Sequence, residues 1–350
     1  MSDIKIGIIG ATGAVGVCLY EILINNNYTN IKVCASDNRV GKQLSEDYPN
    51  VKCEKLNEDF FNDLQVTFFC SDNEISKKWI PYAESRKIIS IDNSSHFRLY
   101  ESVPLIVPEI NKNLITKKDL IIANPNCSSV ILCMSIFPLF LKNKIKRIDV
   151  STYQAVSGAG IAGLMQLRKE MVQKVMSNNK LGEEFELKDK YMSLKNPFNE
   201  PILENVFSHN SDIDYMTGYN GEELKIIQET CKIIDSEIEI SATCIRVPVP
   251  RSHSEAITIT FENDVDEDSV RQSLKEFKGV TLIDDKKNNN FPTPQKAQNN
   301  TDVFVGRIRA DLFDSKKLHL FACGDQILKG ASYNAFQIFE YLIEKKFIDN

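Results

Sequence analysis

The amino end constrains this chain most. A short isoleucine-rich run, Ile4–Ile9, leads into Gly10-Ala11-Thr12-Gly13-Ala14-Val15-Gly16. A helical pattern through Leu19, Ile22 and Leu23 follows, and Asn25-Asn26-Asn27 ends it. A strand that turns on glycines into a helix brings backbone N–H groups to the helix start with no Cβ in the way, which suits a pyrophosphate. The spacing is G-x-x-G-x-x-G, not the standard G-x-G-x-x-G. A plain tight turn therefore competes with a dinucleotide site, and the position at the very start of the sheet favours the site. Ile31–Ala35, Val66–Cys70, Ile88–Ile91 and Leu120–Ala123 are further short apolar runs between polar or helical stretches. This alternation predicts a parallel, doubly wound α/β sheet over roughly the first 125 residues.

After Ala123 the texture changes. Asn124-Pro125-Asn126-Cys127 reads as a turn and Ser128–Leu141 as an apolar helix with a bend at Pro138. Arg147–Tyr153, Ala242–Val249, Ser254–Phe261 and Leu318–Cys323 read as strands, Gly163–Met176 and Glu222–Ile234 as helices, and Asp285–Thr301 as a long loop. The whole is a mixed α+β arrangement. With 350 residues, two domains are expected. The first comprises residues 1–126 with the amphipathic carboxyl-terminal segment 331–350 packed back on it, and the second residues 127–330.

Composition narrows the classes of function. The balance of 42 Lys+Arg against 48 Asp+Glu gives a net charge of −6, with no general attraction to nucleic acid or anionic lipid. No apolar run approaches the ~18–20 residues of a membrane helix. Residues 1–10 lack the apolar core of a signal peptide, and the closing KKFIDN carries no lipidation or retention signal. Nine cysteines, an odd number without a C-x-x-C pair, suit thiols in a reducing compartment better than a disulfide frame or a zinc site. A cytoplasmic protein is expected, with no metal, no nucleic acid and no membrane partner.

Four groups of residues carry chemistry. Gly10, Gly13 and Gly16 form the turn. Beyond the second strand stands Ser36-Asp37-Asn38-Arg39; a carboxylate there favours NAD and an arginine NADP, so Asp37 and Arg39 pull in opposite directions. Cys127 follows Asn-Pro-Asn and opens a helix, where unpaired N–H groups and the dipole favour thiolate and can also hold an oxyanion. A polar glycine-rich segment, Gln154–Gly160, lies not far on. His253, in Arg-Ser-His-Ser-Glu, suits proton transfer near neutral pH, and a bonded loop histidine is an equal reading. His209 reads as a polar-loop residue and His319 as a strand residue. Arg246 lies among alternating apolar residues and should meet a carboxylate from the protein or a ligand. Glu222 and Lys225 share a helix face, and from spacing alone they read as a surface ion pair. Glycine turn, helix-start cysteine and histidine together suggest hydride transfer through a thioester.

At these residues the chain resembles the bacterial-type aspartate-β-semialdehyde dehydrogenases. The matching segments are GATGAVG (10–16), DNSSHFR (92–98), VPLIVPEIN (103–111), NPNCSS (124–129), STYQAVSGAG (151–160), GYNGEELKIIQETCKI (218–233), SATCIRVPVPRSHSEA (241–256), TDVFVGRIRADL (301–312) and GDQILKGASYNAFQI (324–338). They cover nearly the whole chain in the family's order, and the Asn-Cys-Ser turn with Arg-x6-His is highly specific. The resemblance implies a Rossmann-like NADP-binding domain and an α+β catalytic and dimerisation domain, in a homodimer or homotetramer. It implies the second step of the pathway to lysine, threonine, methionine and diaminopimelate, in which L-aspartyl-4-phosphate and NADPH give L-aspartate-4-semialdehyde, NADP and phosphate.

The resemblance also implies roles. Cys127 is the nucleophile, His253 the general acid/base, and Gln154 orients the acyl group or a water. Arg246 grips the α-carboxylate and Glu222 the α-ammonium, while Arg98, Lys225 and Asn126 hold phosphoryl oxygens. Gly10, Thr12, Gly13, Ala14, Val15, Ser36, Arg39, Val40, Ser157, Gly158 and Gln326 contact NADP. Three departures stand out. Asn38-Arg39-Val40 shifts the family's arginine by one and loses a serine. Ser71-Asp72-Asn73 sets an acid where it would repel a pyrophosphate unless the loop turns away. Gln326 replaces a usual Asn. The rival readings are N-acetyl-γ-glutamyl-phosphate reductase, whose acylated substrate amine makes Glu222 unwelcome, a cofactor-independent Cys–His acyl hydrolase, and a nucleotide-binding regulator without catalysis.

Overall fold

The computed structural model describes residues 4–178 and 195–348. The expected domain ends at 1–3 and 349–350 lie outside the described residues. The chain divides into two compact units. One comprises Met1–Phe137, Gln228–Ser236 and Ile327–Asn350, the other Pro138–Ile227 and Glu237–Gln326. The division therefore falls eleven residues later than the composition change at 126/127, and a short piece around 228–236 belongs with the first unit.

The first unit is built on five parallel strands, β1 (Ile6–Ile9), β2 (Ile31–Cys34), β3 (Val66–Phe69), β4 (Ile89–Asp92) and β5 (Ile121–Ala123), in the order β2-β1-β3-β4-β5. Every residue of β1, β3 and β4 is buried, as expected of short parallel strands covered on both faces. Helices α1 (Ala14–Asn25) and α2 (Asn73–Ser85) follow β1 and β3. The last helix, α7 (Tyr333–Glu344), packs on this same core through Ala335, Phe336, Phe339 and Leu342, meeting Leu19, Leu23 and Phe68. The order reverses at β1, which has β2 on one side and β3 on the other. The carboxyl end of that strand is a topological switch point, where open α/β sheets bind their ligands.

Among the described residues the second unit holds seven strands, β6 (Ile145–Gln154), β7 (Phe207–Ser208), β8 (Glu239–Arg246), β9 (His253–Phe261), β10 (Val280–Leu282), β11 (Val303–Ala310) and β12 (Lys317–Gly324). Their order is β10-β11-β12-β9-β6-β8-β7, with β6 and β8 parallel, β10 and β11 parallel, and the remaining pairs antiparallel. One face is apolar, with Ile148, Val150, Ala242, Ile257, Ile259, Leu318 and Leu320 buried. The other face, with Asp149, Ser151 and Tyr153 of β6, is half-buried to exposed.

Several boundaries differ from expectation. β8 ends at Arg246 instead of running to Val249, because Pro248 and Pro250 lack the N–H a ladder needs. His253 does not sit in a loop after a strand; it is the first residue of β9. The stretch 285–301 contains one helical turn, Pro294–Ala297, capped by Thr293. Helix α6 (Glu267–Glu276), capped by Asp266, is an element that apolar runs alone do not reveal, since most of its face is charged. Helices α3 (Cys127–Phe140), α4 (Gly160–Asn178) and α5 (Gly221–Ile233) lie close to their expected places. Among the described residues no helix is long and apolar enough to cross a membrane.

Candidate active site

The expected site residues fall in both units, and each group has its own geometry. In the first unit the glycine turn sits at the switch point. Gly10 has φ +78°, and a Cβ on it would lie 2.4 Å from the Cys70 carbonyl oxygen. A Cβ on Gly16 would lie 2.6 Å from the Gly10 oxygen and 2.7 Å from Ala11 Cα. Neither position accepts a larger residue. Gly13 is the N-cap of α1 and supplies no side-chain cap, so the first-turn N–H groups around Ala14 and Val15 face outward as an anion site. The turn therefore fits a dinucleotide phosphate. Thr12 belongs to the same turn. Ser36, Arg39 and Val40 follow β2, next to β1 in the sheet. Ser36 Oγ donates to Asn38 Oδ1 at 2.8 Å, and Arg39 Nη2 donates to the Gln43 carbonyl at 3.1 Å. Asp72 is accounted for locally: it caps α2, accepting from the Ile75 N–H at 3.0 Å.

Cys127 is the first residue of α3. Asn126 caps that helix, its Oδ1 accepting from the N–H groups of Ser128 (2.9 Å) and Ser129 (3.3 Å). Asn126 thus holds the cysteine turn, a role beyond the phosphate contact the resemblance implies. Arg98 is also committed. It is buried and donates to Glu229 Oε1 at 2.9 Å, the Asn124 carbonyl at 2.9 Å and the Asn93 carbonyl at 2.7 Å. The other oxygen of Glu229 accepts the Asn126 N–H at 2.6 Å. Glu229 therefore ties Arg98 to the residue before Cys127, and the sequence reading missed it. A signal existed: Glu222, Lys225, Glu229 and Lys232 stand at i, i+3, i+7 and i+10, one stripe of a helix. Lys232 completes this support, its Nζ donating to the carbonyls of Arg98, Tyr100 and Val103 at 2.7–2.8 Å.

In the second unit the site residues form a row across the sheet. Gln154 on β6 pairs with Arg246 on β8. The β6–β9 pairs Thr152–Glu255 and Tyr153–Ser254 lead directly to His253 beside Gln154. Gln154 Nε2 donates to Glu222 Oε1 at 3.3 Å, and Lys225 Nζ lies 3.2 Å from Glu222 Oε2. The Glu222/Lys225 pair is thus no surface ornament, because Glu222 is 5% exposed. His253 is fully buried. Its Nδ1 accepts the Ala155 N–H at 3.0 Å, so the neutral ring carries its hydrogen on Nε2. Burial, reinforced by Arg246, lowers its pKa to about 3. A Cβ on Gly158 would come within 3.1 Å of Arg246 Nη1 and 3.2 Å of the His253 ring, so the backbone here passes close against both buried groups. Gln326 is oriented by two bonds, accepting from the Ser252 N–H at 2.8 Å and donating to Ser157 Oγ at 2.5 Å.

Arg246 donates to the Ala155 carbonyl at 2.9 Å, His209 Nε2 at 2.6 Å and Asn210 Oδ1 at 3.3 Å. His209 is therefore not a simple polar-loop residue. Strand β7 pairs with the end of β8 at Arg246 and delivers it there. Burial lowers its pKa to about 4, so it is neutral near pH 7.

One row behind stands Glu255, fully buried, with no hydrogen-bond donor at either carboxylate oxygen. Burial pushes its pKa well above the ordinary value. The folded state then holds a proton that the unfolded chain releases, so stability is full below the ordinary carboxylate pKa and falls as pH rises toward the folded-state value. Glu255→Gln removes this dependence. Its melting temperature is expected to match the parent near pH 4 and to exceed it increasingly toward pH 8, the difference in unfolding free energy growing by up to about 1.4 kcal/mol per pH unit. Parallel melting curves for the two proteins would reject the idea.

Fold and chemistry place the chain among the semialdehyde dehydrogenases. Family models described as the semialdehyde dehydrogenase NAD binding domain and dimerisation domain match residues 5–118 and 136–329. The chain is 41% identical over 348 residues to the aspartate-semialdehyde dehydrogenase of Campylobacter jejuni and 37% identical over 347 residues to that of Synechocystis, with 98% of each chain covered. The crystal structure of aspartate semialdehyde dehydrogenase II from Vibrio cholerae, complexed with ASA, superposes with a TM-score of 0.88 at 31% identity, covering 98% of this chain and 99% of that one. The chain belongs to the aspartate-semialdehyde dehydrogenase family.

Proposed function

We propose that the protein reduces L-aspartyl-4-phosphate to L-aspartate-4-semialdehyde with NADPH, releasing phosphate. The observation that carries this reading is the row of Gln154, Arg246 and His253 with the buried Glu222 beside it. An anion-binding fork and a carboxylate flanking one amide match the α-carboxylate and α-ammonium of a free amino acid. An acylated amine would leave Glu222 buried against a neutral group, which disfavours an N-acetylated substrate.

Cys127 attacks the acyl carbon as thiolate, the C–O bond to phosphate breaks, and a thioester forms. Bound NADPH supplies the hydride that reduces this thioester. The oxygen that gains charge needs a hydrogen-bond donor, and His253 Nε2–H is one. The Ala155 N–H at Nδ1 favours this donor form of the ring, the acid half of the expected acid/base pair. Collapse breaks the C–S bond, frees the aldehyde and restores the thiolate. Gln154 orients the acyl oxygen. Lys225, Arg98 and Asn126 are assigned to the phosphate, the last two chiefly by fixing the turn before Cys127. Gly10, Thr12, Gly13, Ala14, Val15, Ser36, Arg39, Val40, Ser157, Gly158 and Gln326 serve the cofactor, Arg39 selecting the 2′-phosphate. We place the protein in the cytoplasm as a homodimer or homotetramer. The half-exposed face of the second sheet, bearing Tyr153 and Phe321, supports the self-association.

The test is phosphate-dependent reduction of NADP by L-aspartate-4-semialdehyde, run beside NAD and beside N-acetylglutamate semialdehyde, with Cys127→Ala as the blank. The expected result is a signal with the aspartate compound that needs phosphate and vanishes in the blank. No signal from folded, NADP-binding protein would overturn the reading.

A further inference from the structure

We infer that His209 is a positioning residue for substrate recognition: its neutral ring fixes the Arg246 guanidinium and couples it to the start of the helix that carries Glu222. The inference rests on the reading of Arg246 as the carboxylate grip. It adds a residue and a hydrogen-bond chain that this reading does not use.

The atoms run in one direction. Arg246 is always a donor, so His209 Nε2, 2.6 Å from Nη2, accepts. Nδ1 lies 3.2 Å from Ser211 Oγ and 3.3 Å from the Ser211 backbone nitrogen; with Nε2 taken by Arg246 the ring hydrogen is on Nδ1 and goes to Oγ, so the longer contact to the backbone N–H is not a hydrogen bond. Ser211 Oγ in turn donates to Asn220 Oδ1 at 3.2 Å and accepts the Glu222 N–H at 3.0 Å. Asn220 Oδ1 also takes the N–H groups of Glu222 and Glu223, each at 3.0 Å, and so caps α5. A single chain, Arg246–His209–Ser211–Asn220, thus links the group suited to a carboxylate with the helix start that sets the group suited to an ammonium.

The ring is placed from three sides. The His209 N–H bonds the Cys244 carbonyl at 2.9 Å, β7 pairs with Arg246 and Ile245, and Asn210 Nδ2 bonds the Pro197 carbonyl at 3.0 Å. The Arg246 guanidinium lies over the Phe198 ring at 5.7 Å. It is clamped by stacking on one side and by two acceptors at its edge. An arginine held this way presents its fork in one orientation and loses less freedom when a carboxylate arrives.

Three variants test this. His209→Leu keeps volume and removes the acceptor. His209→Gln keeps an acceptor in reach of Arg246. Ser211→Ala removes the partner of the ring hydrogen and the Oγ bonds to Asn220 and the Glu222 N–H, while Asn220 Oδ1 still caps the helix, so it remains informative where the leucine variant does not fold. The expected result for His209→Leu is a KM for L-aspartate-4-semialdehyde about tenfold higher, with kcat and the KM values for phosphate and NADP within about threefold of the parent. Gln should restore most of the loss, and Ser211→Ala should raise the same KM by about threefold. A merely structural role would lower kcat and the melting temperature together, and Gln would rescue no better than Leu; that result overturns the inference. Arg246→Leu is run alongside. If it leaves the aspartate-semialdehyde KM unchanged, the reading of Arg246 fails. If it raises that KM while both His209 variants match the parent, only the inference about His209 fails.

Discussion

Replacing Cys127 by serine is expected to leave a folded protein whose turnover falls by roughly 10^4-fold or more, because a hydroxyl at that position is a far weaker nucleophile and cannot form the thioester. The substitution is nearly isosteric and Asn126 caps the helix through its own side chain, so the melting temperature should move little. Chemical labelling offers an independent reading. Burial pushes up the thiols of Cys34, Cys53, Cys70, Cys231, Cys244 and Cys323. Cys127 instead opens a helix, where thiolate is favoured. Substoichiometric iodoacetamide at neutral pH should therefore modify Cys127 first, and activity should fall in proportion. Labelling spread over several cysteines without loss of activity would contradict this.

The second large effect concerns stability. A five-residue π-turn, Leu328–Ser332, precedes α7 and turns Lys329 inward, where it is fully buried. Its three donors meet three acceptors: Glu109 Oε2 at 2.6 Å, Gln337 Oε1 at 2.8 Å and Asn334 Oδ1 at 3.0 Å. Removing one partner of such a pair leaves the other charge buried alone. Lys329→Met should therefore lose about 3–5 kcal/mol in denaturant unfolding. Adding Glu109→Gln should recover much of it. The pH response carries the sign. Burial works against the Glu109 carboxylate, yet Lys329 and Gln337 outweigh it and hold its pKa below the ordinary value. In the parent this stabilisation is present above the ordinary carboxylate range and lost as pH falls through it. In Lys329→Met, Glu109 becomes a buried acid without a cation, so stability should instead fall as pH rises. An unchanged slope would mean that Lys329 is not what holds the carboxylate ionised.

Much of this was legible from local chemistry. The glycine turn, the five apolar runs and the helix opening at Cys127 each announce themselves within a few residues, since sheet burial and helix starts leave short-range patterns. Arg246 was legible as a conflict, a charge among apolar neighbours. What escaped was whatever depends on register. Nothing near Ser208-His209-Asn210 says that a two-residue strand lays the ring against Arg246. Glu229 looks like an ordinary helix carboxylate until Arg98 and the Asn126 N–H converge on it. Glu222 and Lys225 read as solvated because their spacing is that of a surface pair, and only burial of the helix face shows otherwise. The expectation for β8 runs three residues too long because alternation continues through Pro248, whose missing N–H group matters only beside a partner strand.

The row Arg246–Gln154–His253 has a consequence for how substrate choice can change. The three side chains sit on neighbouring strands, so the ladder works as a ruler with divisions of roughly 4.8 Å. The distance between guanidinium, amide and imidazole is set by sheet geometry and does not depend on loop length. A one-residue insertion in β6, β8 or β9 would turn its member of the row to the opposite face instead of sliding it by a fraction of an ångström. A longer or shorter substrate must then be accommodated by changing the side chains on the ruler, or by moving what faces it, while the graduations stay fixed.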